Sequence, residues 1–214
     1  ITTVANAEAS ALLLRFATDP GAARRGLIDT LIGTLTSAGL WSKLDGLWLL
    51  AAHDEAAAQL NWVSAAYPLS TSGGATFEAD HGYTGDGAGG HLNTGFNDAT
   101  GTAQYLQDSF HLGYYCNLNN GGGNQHIGTV TGTTTRMAAS TSALTTRVHS
   151  STSFNTSSVN AAVGHNVITR ETATSSRALH DGVSINTSSA ASTTPVSANI
   201  CIFRSATAYN ADRI

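Results

Sequence analysis

Beyond Tyr67-Pro68 the chain carries no apolar stripe at helical spacing. Short β-like runs alternate instead with clusters of Gly, Asn and Ser. A chain of this texture can bury its apolar residues only by pairing many short strands into a sandwich or a barrel. The runs are 75–85, 107–117, 125–132, 134–140, 165–172, 175–180, 183–188 and 198–206. Residues 129–160 are dominated by Thr, Ser and Ala, and β-branched Thr keeps that segment strand-compatible. NLNNGGGNQ, residues 117–125, is a predicted loop, because Asn and Gly tolerate positive φ. In RALHDGVSINT (177–187), Asp181-Gly182 forms a two-residue hairpin turn. Leu179, Val183 and Ile185 are expected on one side of that hairpin, with His180 on the solvent side.

Residues 1–66 read differently. Ala9, Leu12, Leu13 and Phe16 share one side of a predicted helix. Asp19-Pro20 supplies an N-cap and a first helical residue for a second helix. Leu27, Ile28, Leu31, Ile32 and Leu35 form its apolar stripe, and Gly39 stops it. GLWLLAA (46–52) is evenly apolar and short, which predicts a buried strand. Asp54 and Glu55 then open a short helix. The tryptophans Trp41, Trp48 and Trp62 all fall in this half, as packing residues.

Composition narrows the function. Of 214 residues only 11% are charged, the net charge is −4 and Lys43 is the single lysine. No basic run exists to grip a phosphate backbone, so nucleic acid is not an expected partner. No apolar run reaches the roughly 18 residues that cross a bilayer, so membrane insertion is not expected either. No signal peptide is recognisable at ITTVANAEAS. Cys116 and Cys201 are expected to be separate buried thiols.

Motifs of chemistry are sparse. GDGAGG (85–90) formally matches a dinucleotide fingerprint, but no helix follows and no βαβ unit surrounds it, so a loop is expected. Glu78 and Asp80 in FEAD are expected two apart on one strand face, the placement a glycosidase pair would need. The histidines show no zinc spacing, and no metal or cofactor is assigned. Asp80, Asp86, Asn93, Asn97 and Asp98 are hard oxygen donors in predicted loops, the chemistry calcium would use. Asn155-Thr156-Ser157 and Asn186-Thr187-Ser188 match the glycosylation sequon, as chance allows in so Ser- and Thr-rich a chain.

SSRALHDGVSINTS resembles the R-L-Y-x-D-G-x-x-V hairpin of concanavalin A-like jelly rolls, the laminin-G and pentraxin-like group. Arg177, Leu179, Asp181, Gly182, Val183 and Ile185 occupy the matching places. FEADHGYTGDGAGGHLNTGF, ANICIFRSA and the segment from Asp19 to Trp62 resemble parts of the same domain in proteins encoded beside bacteriophage and prophage tail genes. The likeness spans roughly residues 12–206 and carries over no catalytic residue. Laminarinase-like sandwich enzymes carry Glu-x-Asp-x-x-Glu, and here Tyr83 stands where the third carboxylate would be.

The resemblance implies a mainly β protein: an antiparallel jelly-roll β-sandwich over 67–214, preceded by a helical segment with one strand over 1–66. Such domains usually close with a further strand and helix, so the sandwich is expected to be incomplete at the C-terminus. It implies a non-enzymatic virion structural protein, a tail fibre, receptor-binding or head-decoration component on an extracellular particle. Its expected partners are other virion proteins, copies of itself as a homo-oligomer, and a host cell-surface glycan. Loops 83–97 and 113–126 are the expected binding face, with Tyr83, Asp86, His91, Asn93, Tyr114 and Asn119 as contacts. Two alternatives accompany it: a purely architectural decoration module, and a glycan-cleaving enzyme using Glu78 and Asp80.

Overall fold

The structure is a computed structural model that describes residues 4–100, 104–118, 125–131, 134–157, 161, 163–205 and 208–214. It divides into two compact units, Ile1–Pro68 with Glu78–Gly82, and Leu69–Phe77 with Tyr83–Ile214.

In the first unit, Asn6 caps helix α1 (Ala7–Leu13) by accepting the N–H groups of Glu8 and Ala9. Asp29 of helix α2 (Ala22–Ser37) accepts from the N–H groups of Ala5 and Asn6 and so fastens that start. The second helix begins later than expected: Gly21, at φ 82°, is its N-cap. Asp19 instead accepts from the Gly21 N–H and pairs with Arg25 outside the helix. Gly39, at φ 67°, follows its end, as the glycine rule predicts. Ala9, Leu12, Ile28, Ile32, Trp41 and Trp62 form this unit's core.

GLWLLAA is not a strand. Among the described residues of this unit no neighbouring strand exists to pair it, so side chains satisfy its backbone. The buried Asn61 amide accepts from the Leu47 N–H at 3.1 Å and donates to the carbonyls of Asp45 and Ala66. Trp62 N–H then donates to Leu47 C=O at 2.8 Å. A four-residue helix α3 (Glu55–Ala58) follows, capped by Asp54.

The remainder is antiparallel β structure. Its strands are β1 (Ser70–Ser72), β2 (Thr76–Glu78), β3 (Gly82–Thr84), β4 (His91–Asn97), β5 (Phe110–Cys116), β6 (Gln125–Thr129), β7 (Thr135–Ala139) and β8 (Ala143–Val148). They continue as β9 (Phe154–Ser157), β10 (Gly164–Thr172), β11 (Ser175–His180), β12 (Val183–Ser188), β13 (Asn199–Ile202), β14 (Arg204–Ser205) and β15 (Ala208–Tyr209). A seven-stranded sheet runs β1-β4-β13-β6-β7-β8-β9, and a four-stranded sheet runs β12-β11-β10-β5. Side chains from the two sheets meet: the Tyr114 ring of β5 stacks on His126 of β6 at 5.0 Å. The chain is thus mainly β with a helical N-terminal segment, as expected.

The strand from His91 to Asn97 fell in a predicted loop. Its Asn and Gly content disguised it, because Gly95 sits at φ 68° and Asn93 accepts the Gly95 N–H. The last residues, AYNADRI, are zipped along two neighbours. Tyr83 and Ile214 exchange backbone hydrogen bonds at 3.0 Å, while Arg213 pairs with Asn117 and Leu118 on the other side.

The Asp181-Gly182 turn forms as expected, with φ values of 46° and 79°. The facing of β11 is the reverse of the expectation. Ser176 and Ala178 are buried, Leu179 is half-buried and Val183 is 65% exposed. A β-bulge between Ala178 and Leu179 offsets the pairing with β12. His180, on the same side of β11 as Ser176 and Ala178, turns inward, 3.1 Å from the side-chain oxygen of Asn166.

Candidate functional site

The residues expected to contact a glycan are not gathered on one surface. Tyr83 is fully buried, its ring packed on Phe77 at 5.2 Å. Tyr114 is buried under its stack with His126. His91 is buried too, donating from Nδ1 to Gly89 C=O at 2.9 Å. Half-buried Asn93 is occupied by the Gly95 N–H and the Asn199 amide. Asn119 lies outside the described residues. Strand parity turns Tyr114 inward, whereas His91, on the opposite parity to buried Leu92, Thr94 and Phe96, is covered by Tyr209 and Arg204. Of the neighbouring pair, Tyr114 is inside and Tyr115 is 58% exposed, as alternation requires.

Asp86 remains at the surface but works for its own loop. Its Oδ1 accepts from the N–H groups of Ala88, Gly89 and Gly90 at 2.9, 2.9 and 2.6 Å. These bonds hold the carboxyl down at about 2. The glycine loop is therefore filled by an internal anion, and its amides are not offered to a phosphate.

The FEAD carboxylates do not share a strand face. β2 ends at Glu78, and Asp80 sits in the turn at φ 65°, ion-paired with Arg24 at 2.5 Å. Nor do the five oxygen donors converge on a calcium site. Asn97 caps the N–H groups of Ala99 and Thr100, and Asp98 is sealed in the sandwich.

Spacing gave no sign of the side-chain clusters that the fold does assemble. Cys116, His126 and Asp212 are all fully buried, with their ligand-type atoms within 4.8 Å of one another. Geometry argues against both metal and nucleophile. The Ala139 N–H donates to His126 Nδ1 at 3.1 Å, which places the ring proton on Nε2. A histidine that binds metal through Nε2 would instead donate from Nδ1. Nε2, the protonated nitrogen of this ring, lies 2.9 Å from Asp212 Oδ2. The Cys116 thiol donates to the carbonyls of Leu118 and Arg213, and burial pushes it up to about 11. A buried thiol with that environment is not a nucleophile near neutral pH.

A second cluster joins Asp98, Tyr105, Thr135 and His149, all buried. Asp98 accepts from the Tyr105 hydroxyl at 2.7 Å and from Thr135 at 3.3 Å. His149 faces Gln107 C=O with Nδ1 at 2.8 Å and Asp98 with Nε2 at 3.1 Å. Burial and the Asp98 charge raise the Tyr105 phenol well above its ordinary range. Beside it, Arg170 is 2% exposed and donates only to backbone carbonyls, those of Val148, Thr172, Ala173 and Ala190. It staples the end of β8 to the β10–β11 turn and to the segment after β12. No local motif could have announced these groups, since their partners come from distant strands.

On the helical unit the stripe of α2 is only half used. Ile28 and Ile32 are buried, but Leu27 is 71% and Leu31 37% exposed. With Phe16, Leu49 and Trp62 they line an apolar groove of about 130 Å³. No helix among the described residues is long and apolar enough to cross a membrane. Comparison with protein-family models, curated proteins and solved structures finds no match.

Proposed function

We propose that this chain is a non-enzymatic structural component of a bacteriophage particle, a tail-fibre, receptor-binding or head-decoration protein that displays its β unit to a host-surface glycan. The observation that carries the reading is where the chemistry lies. The Cys116, His126 and Asp98 clusters are sealed between strands and bonded internally, so they serve as fasteners. What is left outside is a low-charge surface rich in Ser, Thr and Asn on the β unit, where Leu106, Tyr115, Leu118, Val163 and Val183 are also exposed, and exposed leucines on the helical unit. Rigid frames with polar outer faces suit display, and exposed apolar side chains in number suit assembly with copies of the chain or other particle proteins. The concanavalin A-like jelly-roll connectivity is part of the same proposal, supported by the antiparallel sheets and the Asp181-Gly182 hairpin.

Immunogold labelling of purified particles tests the reading, with label expected on the capsid surface or the tail. Label confined to the host cell interior would contradict it. The exposed leucines equally favour the purely architectural module, for which the particle labels but the purified protein binds no glycan.

A further inference from the structure

We infer that the outer face of the four-stranded sheet around Tyr115 is the sugar-binding surface, with a neutral pyranose ring as its ligand. The inference rests on the glycan-display reading and replaces buried Tyr114 with its exposed neighbour. Strand alternation sends His111, Gly113 and Tyr115 of β5 outward while Phe110, Tyr114 and Cys116 face the core. Directly opposite Tyr115 in register stands His165 of β10, also exposed. Thr169, half-buried, lies opposite His111.

Between the two outward side chains of β5 is a glycine. Glycine weakens a strand interior, so its presence there suits a place where something approaches the backbone closely. A Cβ at Gly113 would lie 3.0 Å from Val167 Cγ2 and 3.5 Å from His165 Nε2. Val167 and the Asn166 carbonyl, 3.0 and 3.2 Å from where that Cβ would stand, already approach this glycine, so no side chain of β5 rises between His111 and Tyr115. Because β5 is the edge strand of its sheet, a longer saccharide can run off that side.

Charge selects the ligand. Arg177, the guanidinium on this face, is held by Glu171 at 2.5 Å. Asp181, beyond His165, already accepts the His165 N–H at 2.8 Å. Among the described residues of this face the guanidinium is thus already paired, and the Asp181 carboxylate would repel an acidic sugar. A neutral sugar matches: its C–H face lies against Tyr115 and its hydroxyls reach the imidazole of His165 directly opposite.

The test is affinity electrophoresis of the full chain through gels containing dextran, mannan or galactan, with alginate as the acidic contrast. Retardation by at least one neutral polysaccharide is expected, and none by alginate. Tyr115→Ala should weaken the retardation about tenfold, and Tyr115→Phe, which keeps the ring, should stay within about threefold. His165→Ala is the second variant should Tyr115→Ala fail to fold, and Leu14→Ala on the helical unit should change nothing. Retardation of wild type that survives both Tyr115→Ala and His165→Ala would overturn this site while leaving the glycan reading intact. Retardation by alginate alone would overturn the neutral ligand. No retardation in any gel would overturn both the site and the glycan reading.

Discussion

The two units solve the same problem with opposite materials. The helical unit is held by apolar contacts around Trp41 and Trp62, yet leaves Leu14 89% and Leu27 71% exposed. The β unit hides Arg170, His126, His149, Asp98 and Asp212 behind a surface rich in Ser, Thr and Asn, in which Leu106, Leu118, Val163 and Val183 are exposed aliphatics. An apolar residue outside costs little stability, and several lining one groove, as Leu27, Leu31 and Leu49 do, suit a contact. A charge inside is tolerable only with its partners in place, so it fixes one arrangement of strands and punishes every other. The contrast separates a surface suited to joining from a frame suited to holding its shape.

Breaking the frame should have the largest effect. Arg170→Leu strands carbonyls from three segments at once and should cost about 4 kcal/mol or more in a urea melt of the β unit. A loss under about 1 kcal/mol would mean that the guanidinium staple is incidental. Asp98→Ala leaves His149, Tyr105 and Thr135 without their shared acceptor, and about 3 kcal/mol is expected. In the helical unit the comparison runs within one helix. Ile32→Ala, at a fully buried position, should lose about 2–4 kcal/mol, whereas Leu27→Ala should change monomer stability by no more than about 0.5 kcal/mol. Equal losses at the two positions would erase the distinction between core and joining surface.

A smaller effect follows from Asp86. Its carboxyl is depressed from 3.8 to about 2 by the loop N–H groups, so the folded state favours the charged form. The stabilisation is complete above the ordinary value and is lost as pH falls through about 2. Asp86→Asn keeps an acceptor but removes the titration, so this part of the acid dependence should vanish from its pH–stability curve. An unchanged curve would mean that the bonds to Ala88, Gly89 and Gly90 do not form in solution.

How far the sequence reaches depends on whether the signal is local. The Asp181-Gly182 turn, the Gly39 stop and most strands were legible, because turn chemistry and apolar runs act over a few residues. Two kinds of error came from non-local causes. GLWLLAA has the composition of a strand, but a strand needs a neighbour, and Asn61 took that place. The facing of β11 was inverted because the small Ser176 and Ala178, rather than Leu179, take the core side, and a bulge that skips Ile185 of β12 offsets that strand's pairing. The buried clusters were illegible for the same reason: Asp98 and His149, or His126 and Asp212, are ordinary residues until the sheets bring them together.

The central claim is that the sealed ionisable groups are fasteners, and the Cys116–His126–Asp212 cluster tests it most directly. The measurement is a cobalt(II) titration of the native chain, followed by thiolate–cobalt absorption and by the ¹⁵N resonances of His126. The account predicts no charge-transfer band and a His126 ring protonated on Nε2 throughout, because Ala139 N–H occupies Nδ1 and the Cys116 thiol is tied to the carbonyls of Leu118 and Arg213. A saturable band, with the His126 proton moved to Nδ1, would make the cluster a metal site and contradict the account.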